Sequence, residues 1–209
     1  MLKKLGIVKK ANKSYLVFNH YIEPDFLNNS MKPSEYVSYC WEKYKNADIK
    51  KNNALNGSVF ELIIASLLVK EGIIPLYLQA EVAFVPNVNF DAIIYSSAIG
   101  PINFSLKTSL RERYKQADLE AIALKYVHRK AKSYLLTTDE AEARSVQEKI
   151  KEGYILGLDE AILATSSELN RLIEEIKRYD LKDPGKVDIL TAKKIISSEK
   201  VQRVLQSES

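Results

Sequence analysis

Two charged residues of opposite sign stand at matched places on consecutive apolar segments. Asp91 opens the run Asp-Ala-Ile-Ile-Tyr, and Lys107 closes Ile-Asn-Phe-Ser-Leu-Lys, with a Gly100-Pro101 turn signal between them. The intervening 15 residues allow two antiparallel strands and a short turn, so both side chains are predicted at one edge of a sheet. An acid there can hold a divalent cation, and a lysine can orient a water or stabilise charge that develops on a phosphate.

Two glutamates lie on predicted helices without a cation on the same face. The neighbours of Glu61 at three and four residues are Gly, Ser, Ile and Ala, and those of Glu120 are Gln, Ala, Ala and Leu. Burying an ionised carboxylate without a partner is costly, so each glutamate either reaches solvent at the helix edge or faces a cation. The acid and lysine have plain alternatives too: Asp91 could cap a turn, and Lys107 could be an exposed strand end.

The segment after Lys107 is rich in charge. Ser109 and Glu112 fit the S-x-x-E capping box, which gives both a structural role at a helix start. Arg111 and Arg113 are not explained that way, because cations in a first helical turn oppose the helix dipole. Arginine pairs with guanine and a carboxylate accepts from cytosine, so Arg111, Glu112 and Arg113 are suited to reading two neighbouring G·C pairs.

The elements that would position these residues follow from periodicity and turn signals. Helices are predicted from about Pro33 and over 53–72, 109–126 and 140–152. Strands are predicted over 81–85, 89–96, 102–107, 133–138 and 154–158, and two C-terminal helices flank an Asp183-Pro-Gly turn. This order predicts a mixed central sheet flanked by helices, in the α/β or α+β class.

Length, net charge and cysteine content limit the classes to which this protein can belong. A chain of 209 residues suits one domain, with residues 1–50 as its N-terminal helical and irregular part. The net charge of +4 permits a nucleic-acid partner without demonstrating one. The single Cys40 excludes an internal disulfide, and no signal peptide or membrane span is evident, so we expect a cytoplasmic protein.

At these residues the chain resembles the PD-(D/E)XK restriction endonucleases. More narrowly, it is similar to the branch that includes EcoRII, PspGI and NgoMIV, which reads CCGG or interrupted CC/GG sites. In that branch an Asp on one strand, Ser-x-Lys on the next and a displaced Glu on the following helix form the site. Asp91, Ser105-Leu-Lys107 and Glu120 match this pattern, and Glu61 matches the upstream helical glutamate. The resemblance covers about residues 56–125 and departs from the family at Asn89-Phe90, where a proline usually precedes the Asp.

The resemblance implies a restriction-endonuclease-like fold and a type II restriction endonuclease that is a homodimer on double-stranded DNA. It implies that Asp91, Glu120 and Glu61 hold Mg²⁺ and that Lys107 orients the attacking water, these four being the catalytic set. Arg111, Glu112 and Arg113 would recognise bases within a short G/C-containing palindrome. Charge alone suggests phosphate contacts from Lys115, Lys125, Arg129 and Lys130.

Three alternatives stay open at this point. A repair or junction-resolving nuclease of the same fold would share the metal site but not the base readers. A non-catalytic protein could bind DNA through a predicted C-terminal helix over 188–206 that carries Lys193, Lys194 and Arg203. A small-molecule enzyme is disfavoured, because the chain has no glycine-rich phosphate loop, no Ser-His-Asp set and only two histidines, His20 and His128. No small-molecule cofactor is therefore expected.

Overall fold

The computed structural model describes residues 1–184 and 190–207, with the side chains of residues 190 and 191 left aside. Its helices are α1 Leu2–Leu5, α2 Lys13–Val17, α3 Pro33–Asn46, α4 Asn53–Lys70, α5 Arg113–Val127, α6 Glu140–Lys151, α7 Ser167–Ile176 and α8 Ser198–Gln206. Short π and 3₁₀ turns cover Phe18–Ile22 and Phe26–Asn28. The strands are β1 Leu76–Val82, β2 Phe90–Ser96, β3 Gly100–Lys107, β4 Lys132–Thr137, β5 Glu160–Leu163 and β6 Leu190–Ile196.

The strands form one six-stranded mixed sheet in the order β5-β4-β3-β2-β1-β6. β1, β2 and β3 form an antiparallel meander, and β6 pairs antiparallel with β1. β4 and β5 continue the sheet in parallel, because α5 and α6 supply the crossovers. The predicted α+β architecture, a mixed sheet flanked by helices, is confirmed.

Helix α4 forms the centre of the core on one face of the sheet. Asn52 caps it by accepting a hydrogen bond from the backbone N–H of Leu55 at 2.8 Å. Nearly all its apolar side chains are buried, together with residues of the N-terminal helices. By length and composition α4 could cross a membrane, but most of it lies inside the fold, as expected of a core helix.

Three predicted elements were wrong. The first strand is Leu76–Val82 rather than 81–85. Residues 154–158 form a loop against α5, where the Asp118 carboxylate accepts hydrogen bonds from the N–H groups of Gly157 and Leu158. Gly157 is required there, since a Cβ would lie 2.4 Å from the Asp118 carbonyl oxygen. The C-terminal segment is β6 followed by α8, not one helix, and the Asp183-Pro-Gly turn falls partly outside the described residues.

The helix that follows β3 begins later than predicted. α5 starts at Arg113, and Glu112, its N-cap residue, makes no side-chain capping hydrogen bond. The predicted capping box of Ser109 and Glu112 is therefore wrong. Instead, the Glu142 carboxylate on α6 accepts hydrogen bonds from the backbone N–H groups of Leu110 and Arg111. A side chain of another helix thus supplies the acceptor for the free N–H groups of this turn.

Candidate active site

Asp91 and Lys107 meet where β2 and β3 separate. The pairing of these two strands with each other ends at Ala92 and Phe104, whereas β3 stays paired with β4 as far as Lys107 and β2 stays paired with β1 at Phe90. The Asp91 Oδ2 atom accepts from the N–H of Leu106 at 2.8 Å and from the Lys107 Nζ atom at 2.6 Å. Both side chains are mostly buried, with exposed fractions of 16% and 11%. The structure thus brings the two together as an ion pair, and Asp91 is not a turn cap.

Glu61 enters the same cleft from α4. The cleft is lined by Glu61, Asp91, Gln79 and Lys194, with apolar side chains around them. Burial, and after it the negative charge of Asp91, raises the pKa of Glu61 to about 7, against the opposing effects of Lys107 and Lys194. A helix-edge glutamate in solvent would keep its ordinary value. The structure therefore favours the interpretation that Glu61 faces the site.

Glu120 approaches from α5. Its Oε1 atom accepts from the Gln116 amide at 2.7 Å, one helical turn away. Burial raises the pKa of Glu120, while Gln116 and Lys107 lower it and Asp91 raises it slightly. The charges of Lys107 and Asp91 reach this carboxylate across the gap between helix and sheet. That Glu120 takes the place of an acid two residues before Lys107, where Ser105 stands, stays a prediction.

A buried hydroxyl without a partner lies beside these acids. Ser105 is 3% exposed and follows on from the last β2–β3 pair, opposite Asp91. Its Oγ atom makes no hydrogen bond within the described residues. Buried polar groups are normally satisfied, so this hydroxyl could bind a ligand or water, as could the side chains of Asn103 and Ser133, which are also buried without a partner among the described residues. Together with three carboxylates, it makes an all-oxygen set of side chains, and oxygen is the ligand type that Mg²⁺ prefers.

The carboxylates of Asp91, Glu61 and Glu120 are close enough to interact electrostatically but are not arranged as a set of metal ligands. Among residues 1–184 and 190–207, no three His, Cys, Asp or Glu side chains are grouped tightly enough to hold a metal ion. Like charges repel, and the Lys107 ammonium already neutralises Asp91 on Oδ2. No donor from the described residues reaches Oδ1 of Asp91, so that oxygen stays open to a cation.

The three predicted base readers lie on the surface outside the cleft. Arg111, Glu112 and Arg113 are all exposed, in the turn between β3 and α5 and at its first helical residue. Arg111 has a φ of 37°, a left-handed conformation that is strained for an arginine. Glu112 forms an exposed ion pair with Lys115. Of the two arginines only Arg113 lies in the first turn of α5, so the prediction that Arg111 is also in the first helical turn was wrong.

Two residues of the cleft were missed from the sequence. Gln79 has a φ of 51° inside β1, and pairing to both β2 and β6 skips it. Its Nε2 atom lies 3.5 Å from a Glu61 oxygen, and its Oε1 atom accepts from Asn89 at 3.1 Å. Nothing in the apolar pattern around Gln79 signals this. Strained residues inside a strand often mark functional sites, so Gln79 belongs to the candidate site.

The other missed residue is Lys194, which was assigned to a DNA-binding helix. It lies on β6 opposite Leu78 and lines the cleft with Glu61. Burial lowers the pKa of Lys194, and Glu61 counteracts this. Lys194 reaches the cleft because β6 pairs with the distant strand β1, and local sequence periodicity does not reveal this pairing. Two of the suggested phosphate contacts are in ion pairs within the protein, Lys115 with Glu112 and Lys125 with Asp159 at 2.8 Å.

Comparisons with known proteins add no relative. The chain matches no protein-family model, and neither the curated proteins nor the solved structures contain a significant match. The candidate site therefore rests on the geometry of this chain.

Proposed function

We propose that the protein is a magnesium-dependent endonuclease that cleaves double-stranded DNA at a short G/C-containing palindrome, as a type II restriction endonuclease does. One observation carries the proposal. At the point where two strands separate, a lysine and an aspartate form a mostly buried ion pair, and Glu61 and Glu120 face the same charges from two helices. Structural ion pairs rarely gather two further carboxylates with raised pKa values, whereas catalytic sites do.

Each residue has a distinct part in the proposed chemistry. Asp91, Glu120 and Glu61 would hold Mg²⁺, which supplies a Lewis acid that polarises the phosphate and lowers the pKa of water. Lys107 orients the attacking water through its ammonium hydrogens and stabilises negative charge on the phosphate. Ser105 offers its free hydroxyl to a water in the same place. Gln79 holds Glu61 toward the cleft.

Recognition in this proposal uses the turn after Lys107. Arg111 and Arg113 extend into solvent, where a guanine edge can approach them, and Glu112 can exchange Lys115 for a cytosine amino group. Because this turn follows the catalytic strand directly, the cleaved bond has a fixed offset from the bases that are read. A palindrome has two identical half-sites, so the proposal includes a two-fold homodimer. The proposal also includes a cytoplasmic location.

Digestion of a plasmid of known sequence tests the proposal. Purified protein with Mg²⁺ should give discrete fragments, and sequencing their ends gives the site and the stagger. The Asp91→Asn variant, purified in parallel, controls for contaminating nuclease. Intact DNA with Mg²⁺ and with Mn²⁺ would exclude the enzyme, whereas binding without cleavage would favour a non-catalytic DNA-binding protein.

A second candidate uses the same centre without reading bases. The ion pair of Glu112 with Lys115 fits this candidate, because such a nuclease needs no contact between the Glu112 carboxylate and a base. A repair or junction-resolving nuclease of this kind would cut branched or damaged duplexes regardless of sequence. Comparing cleavage of a four-way junction with that of a linear duplex of the same sequence distinguishes the two candidates.

A further inference from the structure

The N-terminal segment carries a run of positive charge. Residues 1–22 contain five lysines and neither Asp nor Glu. All five lysines are exposed, and we call them the lysine ridge: Lys3, Lys4, Lys9, Lys10 and Lys13. The apolar residues between them, Leu2, Leu5, Ile7 and Val8, are at most 3% exposed. The backbone of the ridge is therefore fixed on the core, and its charges face outward.

The lysine ridge borders the candidate active site. Ile7 lines the cleft together with Glu61 and Asp91, and Lys9 follows two residues later. Lys9 is close enough to oppose protonation of Lys194 inside the cleft. More basic residues adjoin the ridge, since the Lys200 ammonium packs beside Gly6 and Lys13 Nζ donates to the Lys50 carbonyl at 3.0 Å. Positive charge thus continues from the mouth of the cleft across the adjacent surface.

We propose that the lysine ridge is a binding surface for the backbone phosphates of duplex DNA that leaves the cleft. Exposed lysines act as mobile point charges that contact phosphates without regard to sequence, which suits DNA flanking a cleavage site. A membrane surface is a poorer partner, because basic segments that bind lipid present apolar side chains beside their lysines. Here Leu2, Leu5, Ile7 and Val8 are buried, and the exposed Leu16 and Tyr21 lie beyond the ridge. The inference rests on the proposed function for the choice of DNA as the ligand. It does not depend on cleavage, since a protein can bind DNA without cutting it.

Salt-dependent binding tests the ridge without cleavage. The probe is a fluorescent 20-base-pair duplex in EDTA, titrated at several NaCl concentrations with wild type and with the Lys9→Gln/Lys10→Gln variant. Each lost phosphate contact lowers the slope of log K against log [NaCl] by about 0.9, so the double variant should lose up to about 2 units of slope. At 0.1 M salt its affinity should fall roughly tenfold or more.

Two controls separate charge from other effects. The Lys9→Arg/Lys10→Arg variant keeps the charges and should retain the wild-type slope. The Lys151→Gln/Lys182→Gln variant removes two exposed lysines, one at the end of α6 and one beside Tyr95 at the other end of β2 from Asp91. It should change the slope little. Thermal melting confirms that each variant is folded.

The outcomes are distinct from those of the plasmid digestion. Equal slopes for wild type and the glutamine variant would overturn the inference, even if the protein cleaves DNA. Preference of the wild type for anionic vesicles or duplex RNA over duplex DNA would also overturn it. Loss of DNA affinity in a protein that never cleaves DNA would support the ridge while excluding the nuclease.

Discussion

The cleft at Asp91 and Lys107 and the turn at Arg111–Arg113 are a few residues apart in sequence but differ in construction. The cleft is built on strands and a core helix, and its charges are mostly buried and engage one another. The turn is exposed, and its backbone is fixed by Glu142 from another helix. The proposed catalytic side chains are therefore held by buried contacts, whereas the proposed base-reading side chains are exposed and can adjust to a ligand.

Removing the lysine should have the largest effect on the cleft. Lys107→Met loses the group that orients water and stabilises phosphate charge, so we expect single-turnover cleavage to fall by roughly 10²–10⁴. Lys151→Met makes the same chemical change on an exposed helix and should cleave normally. If Lys107→Met cleaves like wild type, the cleft does not perform the chemistry.

Helix α5 carries two carboxylates, Glu120 and Asp118, that should differ in effect. Glu120→Gln should lower cleavage by about two orders of magnitude or more, because a charge at the reacting centre is lost, while the fold is preserved. Asp118→Ala should instead cost about 1–3 kcal/mol of unfolding free energy, because the Gly157 and Leu158 N–H groups lose their acceptor. Chemical denaturation and cleavage per folded molecule give both quantities. Loss of stability in Glu120→Gln together with loss of cleavage per folded molecule in Asp118→Ala would contradict these roles.

The turn should affect selectivity rather than rate. Arg111→Ala should reduce discrimination between the cognate duplex and single-base-pair variants by roughly 10- to 150-fold, and leave the unfolding free energy within about 0.5 kcal/mol. Arg144→Ala, on the exposed face of α6, is the matched control. Unchanged discrimination in Arg111→Ala would favour the repair or junction nuclease.

The pH dependence of the metal-free protein reports on Glu61. Its pKa rises from an ordinary 4.5 to about 7 on folding, so it stabilises the fold below pH 4.5 and loses that contribution as the pH rises through 7. Glu61→Gln should therefore unfold less readily than wild type at pH 8, by about 3 kcal/mol, and be similar at pH 4. Urea denaturation in EDTA at both pH values measures this difference, and a larger gain at pH 4 would contradict it.

The fold was predictable where local patterns dominate. The buried helix α4 and the strands β2 and β3 follow from apolar runs and turn residues, and these elements already place Asp91 near Lys107. The rest depends on long-range contacts. β6 pairs with β1 across more than a hundred residues, so Lys194 was assigned to a helix. The start of α5 depends on Glu142, a partner that local sequence does not reveal.

The Mg²⁺ dependence of cleavage by wild type and Asp91→Asn tests whether Asp91 belongs to a metal-dependent active site. With a plasmid substrate, wild type should cleave at a rate that rises with Mg²⁺ concentration and saturates. Asp91→Asn, which keeps the size of the side chain but loses its charge, should give no fragments at any Mg²⁺ concentration. Cleavage by wild type in EDTA, or equal cleavage by both proteins, would contradict a metal-dependent site at Asp91.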